Sequence, residues 1–213
     1  MTTQRTGFYL SSRLQADLKS SHVCQRQQSG MSLSYLESWF VIDQMNEIFG
    51  FANWWRETEL MLQFCEEREN KFYVTYTGKC KITVDIDCSK VTRVGHGVGH
   101  GNGIRDKGLA IESAMKEAES DAMKRAAMTF GNQFGLALYD KNQTCVVNDD
   151  HQNSFIEYVQ NCNIEDERLK TLLRQFEAER LEDVPQRFYK NFTNEVQALQ
   201  QNIKEGKDGN EPF

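Results

Sequence analysis

Lys71-Phe-Tyr-Val-Thr-Tyr-Thr-Gly-Lys-Cys-Lys-Ile-Thr-Val-Asp-Ile86 is the stretch on which the fold turns. Along it Phe72, Val74 and Tyr76, then Cys80, Ile82, Val84 and Ile86, alternate with more polar neighbours. A period of two is what a half-buried strand requires, because successive side chains point to opposite faces of a sheet. Arg56 to Cys65 before it and Val91 to Val98 after it read as further strands, joined by short turns at Glu66 to Asn70 and Asp87 to Lys90. The spacing predicts an antiparallel β-meander of three to four strands.

Downstream, Gly95, Gly97, Gly99, Gly101 and Gly103 occupy every second position. Such a series leaves one face of a strand bare, so that a neighbouring subunit, a helix or a nucleic-acid backbone can come close to it. It is not a phosphate loop of either common kind, since there is no G-x-x-x-x-G-K-[ST] string and the preceding strands are antiparallel rather than part of a βαβ unit. His96 and His100 lie within the series. Four residues apart on a strand they stand about 13 Å from each other, too far to share a metal, and are expected to be exposed or hydrogen-bonded.

Lys107 to Phe130 then reads as a long helix ending at Gly131. Ala110, Ala114, Ala118, Ala122 and Ala126 recur every four residues and give it a thin face that can lie tightly on the sheet. Upstream, Leu10, Leu14 and Leu18 predict a helix over residues 7–20, Gln25 to Ser32 a loop, and Ser34 an N-cap for a helix that ends near Gly50. Asn142 to Ser154 reads as a polar linker. Beyond it Phe155 to Tyr158, Leu169 to Phe176 and the stripe Phe188, Phe192, Val196 and Leu199 predict helices, with Pro185 opening or breaking one and a frayed end from Asn202.

Of the 213 residues 25 are Lys or Arg and 31 Asp or Glu, a net charge of −6. Residues 149–213 hold 14 acidic and 8 basic side chains, so the whole acidic surplus lies there and residues 1–148 are neutral. The balance excludes an all-over basic nucleic-acid coat. Six cysteines at 24, 65, 80, 88, 145 and 162 form no C-x-x-C pair, which points to reduced, packed thiols. The longest apolar runs are only a few residues, and the first twenty lack a signal-like apolar region, so no membrane span or secretory leader is expected. No catalytic triad, metal-ligand string or carboxylate pair stands out, and a binder is the better expectation than an enzyme. Arg105 and Lys107 sit at the entrance of the long helix and Lys124 with Arg125 near its end; Arg125 could equally pair with Asp121 one turn back.

Several separate strings then agree on one family. Tyr35-Leu-Glu, Asn46-Glu-Ile-Phe-Gly-Phe-Ala-Asn-Trp54, Lys71-Phe-Tyr-Val74, Lys116-Glu-Ala-Glu-Ser-Asp121, Met123-Lys-Arg-Ala126, Phe130-Gly-Asn132 and Leu138-Tyr-Asp-Lys141 closely resemble the Rad52 family of single-strand annealing proteins, in order and spacing, over about residues 30–141. The resemblance implies an α+β fold, a β-meander crossed by a long helix, assembled edge to edge into a ring with single-stranded DNA in a basic outer groove. It implies an inner DNA site of Lys124 and Arg125, joined by Arg26 and Tyr35, and an outer site at Arg105 or Lys107. There are departures. Met128 stands where the family commonly has a third basic residue, Leu136 where it has an Asn, and the Gly/His series is richer than usual.

The sequence reading is therefore a core at 1–141 that binds DNA and oligomerises, a linker at 142–154 and an acidic helical segment at 155–213. Its expected function is to bind single strands and anneal complementary ones in homologous recombination and double-strand break repair, without nucleotide hydrolysis, cofactor or metal. The implied partners are single-stranded DNA and further copies of the chain in a ring, with a single-strand binding protein or a recombinase as further candidates. The implied place is the cytoplasm, beside the nucleoid, or the host cytoplasm, since the short chain points to a bacteriophage or prophage source. The rivals are a small nucleotide-binding enzyme using Gly95 to Gly103 and an oligomeric adaptor working through its acidic tail. That tail, from Asp149 on, is expected to be a removable appendage that tempers DNA affinity, unless its helices pack on the ring through Phe188, Phe192 and Leu199, in which case its removal would expose apolar surface and the core would aggregate.

Overall fold

The computed structural model describes residues 10–204 apart from 29, 87 and 88. Cys88, the tip of the turn expected at 87–90, the first residues of the helix expected at 7–20 and the last nine residues lie outside the described residues. The chain forms two compact units, one of residues 23–141 and one of residues 1–22 with 142–213.

The first unit is built on strands β4 (Trp54–Arg68), β5 (Lys71–Ile86) and β6 (Ser89–Ile104), hydrogen-bonded in that order and antiparallel throughout. The strands are longer than the alternation alone marks. Their first turn is only Glu69-Asn70, both at positive φ (50° and 58°), the backbone of a two-residue turn whose twist matches that of the flanking strands. A register shift between Phe72 and Tyr73 accommodates Gly103, whose φ is +72°, the usual place for glycine in a bulge. Helix α3 (Lys107–Ala127) crosses the sheet, opened by Asp106, whose carboxylate accepts from the Leu109 N–H at 2.8 Å.

The bare face of the glycine strand is filled by this helix. A Cβ on Gly95, Gly97, Gly99 or Gly101 would come within 2.0 to 2.3 Å of a backbone atom of Ala126, Ala122, Ala114 or Ala110 respectively. The five stripe alanines are wholly buried. Of the candidates for that face the sequence left open, the helix is the one found; Gly95 to Gly103, the stretch of the rival phosphate loop, lies in strand β6, with Gly95 to Gly101 against α3 and Gly103 in the bulge. Val74, Ala110 and Ala114 form a small core with Phe72, Tyr76, Ile104 and Ile111.

Helix α2 (Ser38–Phe49) packs at the other end of α3, where Phe49, Phe130 and Phe134 form an aromatic cluster with centroids 5.4 to 6.2 Å apart. Gly50 ends α2 at φ 86° as expected. Ser34, however, is not its cap: it lies in β3 (Met31–Tyr35), which pairs with β2 (Cys24–Gln28) where a loop was expected. Met31, Leu33 and Tyr35 do alternate with Ser32 and Ser34 in β3, but β2 is nearly all polar and the apolar side chains of β3 are only partly covered.

The second unit joins a helical turn α1 over residues 10–15 and β1 (Leu18–Lys19) to β7 (Val146–Val147), α4 (Asp149–Asn161), α5 (Asp166–Gln175) and α6 (Tyr189–Lys204). β1 and β7 pair in parallel. The apolar stripes on α4 to α6 converge on Phe155, Leu172, Leu173, Phe192 and Val196, with Phe155 and Tyr189 stacked at 4.0 Å. Burial pushes the Tyr189 hydroxyl up to about 12. Asp183 lies fully buried against Arg13 and Arg180, both at 3.2 Å. The segment read as a linker is half helix: Asn148 caps α4 by accepting from the N–H groups of Asp150 and His151, with Asp149 and Asp150 in the first turn. Those are helix-start residues, and their polarity alone resembles a linker. Residues 10–22 likewise belong with the helical unit and not with the sheet, because Leu18 is buried there beside Val146.

Candidate nucleic-acid interface

Four separate parts of the first unit line one cleft of about 380 Å³: the β2–β3 hairpin, helix α2 through Val41, the last turns of α3 and the short 3₁₀ turns after it. Arg26, Tyr35, Lys124 and Arg125 all stand on its walls. In the hairpin Cys24 pairs with Tyr35 and Arg26 with Leu33, so Arg26 and Tyr35 are diagonal neighbours on one face. The Arg26 guanidinium lies 5.7 Å from the Tyr35 ring centre and the Lys124 ammonium 5.6 Å from it. Two cations thus share one aromatic platform.

Each group is further held. Lys124 Nζ donates to the Leu36 carbonyl at 3.5 Å. The Tyr35 hydroxyl donates to Glu37 at 3.1 Å, and this hydrogen bond, with the carboxylate's charge, raises the phenol's pKa. Arg125 Nε donates to Asp121 Oδ2 at 3.1 Å, a bond that raises the pKa of the guanidinium further. The ion pair the sequence offered as a bland alternative is therefore present, yet it lies inside the cleft and occupies only the inner nitrogen of the arginine. Met128 lines the same cleft, so the missing third cation falls on its wall. Leu136 is exposed nearby on the last 3₁₀ turn.

Arg105 and Lys107 are exposed at the opposite end of α3, about 26 Å from Lys124 along the helix axis. They do not join the cleft. Phe72 pairs with Ile104, which brings Lys71 of β5 beside Arg105; in the sequence Lys71 is marked only as a strand start, and the β5–β6 register is what reveals it. Lys107 in the first turn of a helix opposes the helix dipole, an arrangement that local stability does not favour.

His96 and His100 lie on the sheet face away from α3, His100 Nδ1 at 3.0 Å from Thr75 Oγ1. Among the described residues no three His, Cys, Asp or Glu side chains are placed to hold a metal ion, and no helix is long and apolar enough to cross a membrane. Cys24, Cys65, Cys80, Cys145 and Cys162 are free thiols.

Residues 8–155 match the Rad52/22 family of double-strand break repair proteins. The chain belongs to the Rad52/22 family. It is similar to the DNA repair and recombination protein RAD52 of Saccharomyces cerevisiae, 34% identical over 135 residues, which cover 62% of this chain and 28% of the yeast protein. In Schizosaccharomyces pombe it is similar to the DNA repair and recombination protein rad22, 34% identical over 137 residues (62% of this chain, 29% of that protein). It also resembles rti1 of the same yeast, 40% identical over 114 residues (53% and 30%). The chain thus spans under a third of the length of these relatives, and the Rad52/22 match takes in the whole sheet unit with its cleft.

Proposed function

We propose that this Rad52/22 chain binds single-stranded DNA along the Arg26–Tyr35–Lys124–Arg125 cleft and anneals complementary strands, as part of recombination and double-strand break repair. The observation that carries the reading is convergence. Two cations from α3, one from a hairpin nearly a hundred residues earlier and a tyrosine between them meet in one cleft, a set of donors suited to a phosphate backbone.

Annealing forms base pairs and stacks and changes no covalent bond, so no nucleophile, metal or nucleotide is needed. Three or four cations per subunit bind weakly alone; repeated around a homo-oligomeric ring along one polyanion they bind strongly, because affinity rises with the number of phosphates neutralised together. Arg105 and Lys107, with Lys71 beside them, form the second, outer contact for the incoming strand. A single-strand binding protein or a recombinase fits as partner, in the compartment where the DNA lies, host cytoplasm included if the source is a phage.

The test is a titration of a fluorescent single strand at several salt concentrations. Binding that weakens steeply with salt, and is lost in Lys124→Ala/Arg125→Ala with the oligomer size unchanged, supports the reading; salt-insensitive or absent binding overturns it.

A further inference from the structure

Arg93 stands in β6 on the α3-facing side, two residues before Gly95. The strand's glycines pack in order along the helix, Gly101 on Ala110, Gly99 on Ala114, Gly97 on Ala122 and Gly95 on Ala126, so the next residue of the row falls past the helix end. There the Arg93 guanidinium lies over the ring of Phe130, 5.6 Å from its centre. Phe130 is in turn packed against Phe49 and Phe134, and Phe134 lines the cleft. A Cβ on Gly95 would lie 2.7 Å from the carbonyl carbon of Arg125. Arg93 is about 7 Å further along the strand, which places the two arginines' backbones on the order of 10 Å apart.

Its partners set Arg93, like Arg26 over Tyr35, apart from the ion-paired arginines of this unit. Arg56, Arg68 and Arg125 of the same unit each hold a carboxylate. Arg93 is exposed and has no ion pair among the described residues; its one hydrogen bond runs from Nη1 to the Thr92 carbonyl at 3.2 Å. A guanidinium resting on an aromatic ring is held in place while most of its in-plane N–H groups stay open, the geometry in which arginine receives phosphate oxygens.

We propose that Arg93 is a further phosphate-contacting residue, extending the Lys124–Arg125 site past the C-terminal end of α3 and supplying from the sheet the cation that Met128 does not. The inference rests on the reading of the cleft as a single-strand site. An acid–arginine pair would leave little net charge for DNA at this end of the helix; an arginine paired with a ring adds a whole one.

The experiment compares the full chain with Arg93→Gln, Arg93→Lys and Lys124→Ala, titrating a fluorescent single-stranded oligonucleotide over a range of salt and melting each protein. Arg93→Gln is expected to bind about fivefold more weakly and to flatten the log–log salt dependence by about 0.7 for each phosphate that is no longer neutralised, while Arg93→Lys keeps the slope. If Lys124→Ala weakens binding but Arg93→Gln leaves affinity and slope unchanged, the Arg93 inference fails and the cleft reading stands. If Arg93→Gln and Arg93→Lys melt lower and lose slope alike, Arg93 is a packing partner of Phe130 and the inference fails. If Lys124→Ala binds like the unaltered chain, the cleft reading fails and takes Arg93 with it.

Discussion

A Cβ on Gly99 would lie 2.0 Å from the carbonyl oxygen of Ala114, so strand β6 and helix α3 touch backbone to backbone. No side chain can be added at that point without moving the helix off the sheet. Gly99→Ala is therefore expected to destabilise the sheet unit by about 3 kcal/mol, the upper range for overpacking a tight core, read as a lower urea midpoint. Gly103→Ala, where nothing lies within 4 Å but φ is +72°, should cost only the smaller backbone strain of about 1 kcal/mol.

Arg105→Ala and Lys107→Ala should impair annealing more than binding of one strand, since these residues stand about 26 Å from the cleft. Lys71→Ala, beside Arg105 through the β5–β6 register, should behave like them. Equal losses in the annealing and single-strand assays would merge the two sites into one.

If the acidic tail were a removable appendage, a chain ending at Asn148 would be soluble and bind DNA more tightly. The core that its helices form favours the other outcome. Such a chain keeps residues 10–22 and β7 but lacks α4 to α6, uncovering Val147, wholly buried in the core that those helices form, and aggregation is the expected outcome. Residues 23–141 alone form a compact unit and should stay soluble and bind single strands. Sedimentation of the two truncated chains separates these results.

Asp183→Ala should destabilise the helical unit by about 3 to 5 kcal/mol, because it leaves Arg13 with 8% side-chain exposure and no Asp183 carboxylate. Thermal melting would show it. Burial outweighs the arginines and raises the Asp183 pKa. Folding therefore favours its protonated form, and the contribution of this group falls as pH rises through the raised pKa.

Asp149 titrates with the opposite sign. Burial pushes its carboxyl up, but hydrogen bonds from the Ser21 hydroxyl and N–H and the Ser20 hydroxyl outweigh it and hold the pKa below the usual aspartate value. Its stabilisation is present above the unfolded pKa of 3.8 and lost as pH falls through the lower folded value. Asp149→Asn should remove that acid-side loss from a pH series of melting temperatures.

The sheet and α3 were legible in the sequence because both obey strict periods, two for Phe72 to Ile86 and four for Ala110 to Ala126. The residues proposed for the inner site came from family strings, and their meeting in one cleft depends on a hairpin only half legible in the sequence: Met31, Leu33 and Tyr35 alternate with Ser32 and Ser34 in β3, but the glutamine-rich β2 has no such pattern. Arg93 was hidden for a different reason. Its partner Phe130 is 37 positions away, and nothing local distinguishes an arginine that stacks on a ring from one in solvent. Residues 10–22 failed as a long helix because Leu18 is buried by strand pairing with a residue that no local pattern can see.

That pairing, Leu18 with Val146, sets an order of events as the chain leaves the ribosome. All of the sheet unit is made between the two halves of the helical one. At about 5 to 20 residues per second, β1 waits roughly 6 to 25 seconds for β7 to emerge, long enough for the intervening strands and α3 to close upon themselves. The sheet unit can therefore be complete while residues 10–22 are still waiting for their other half.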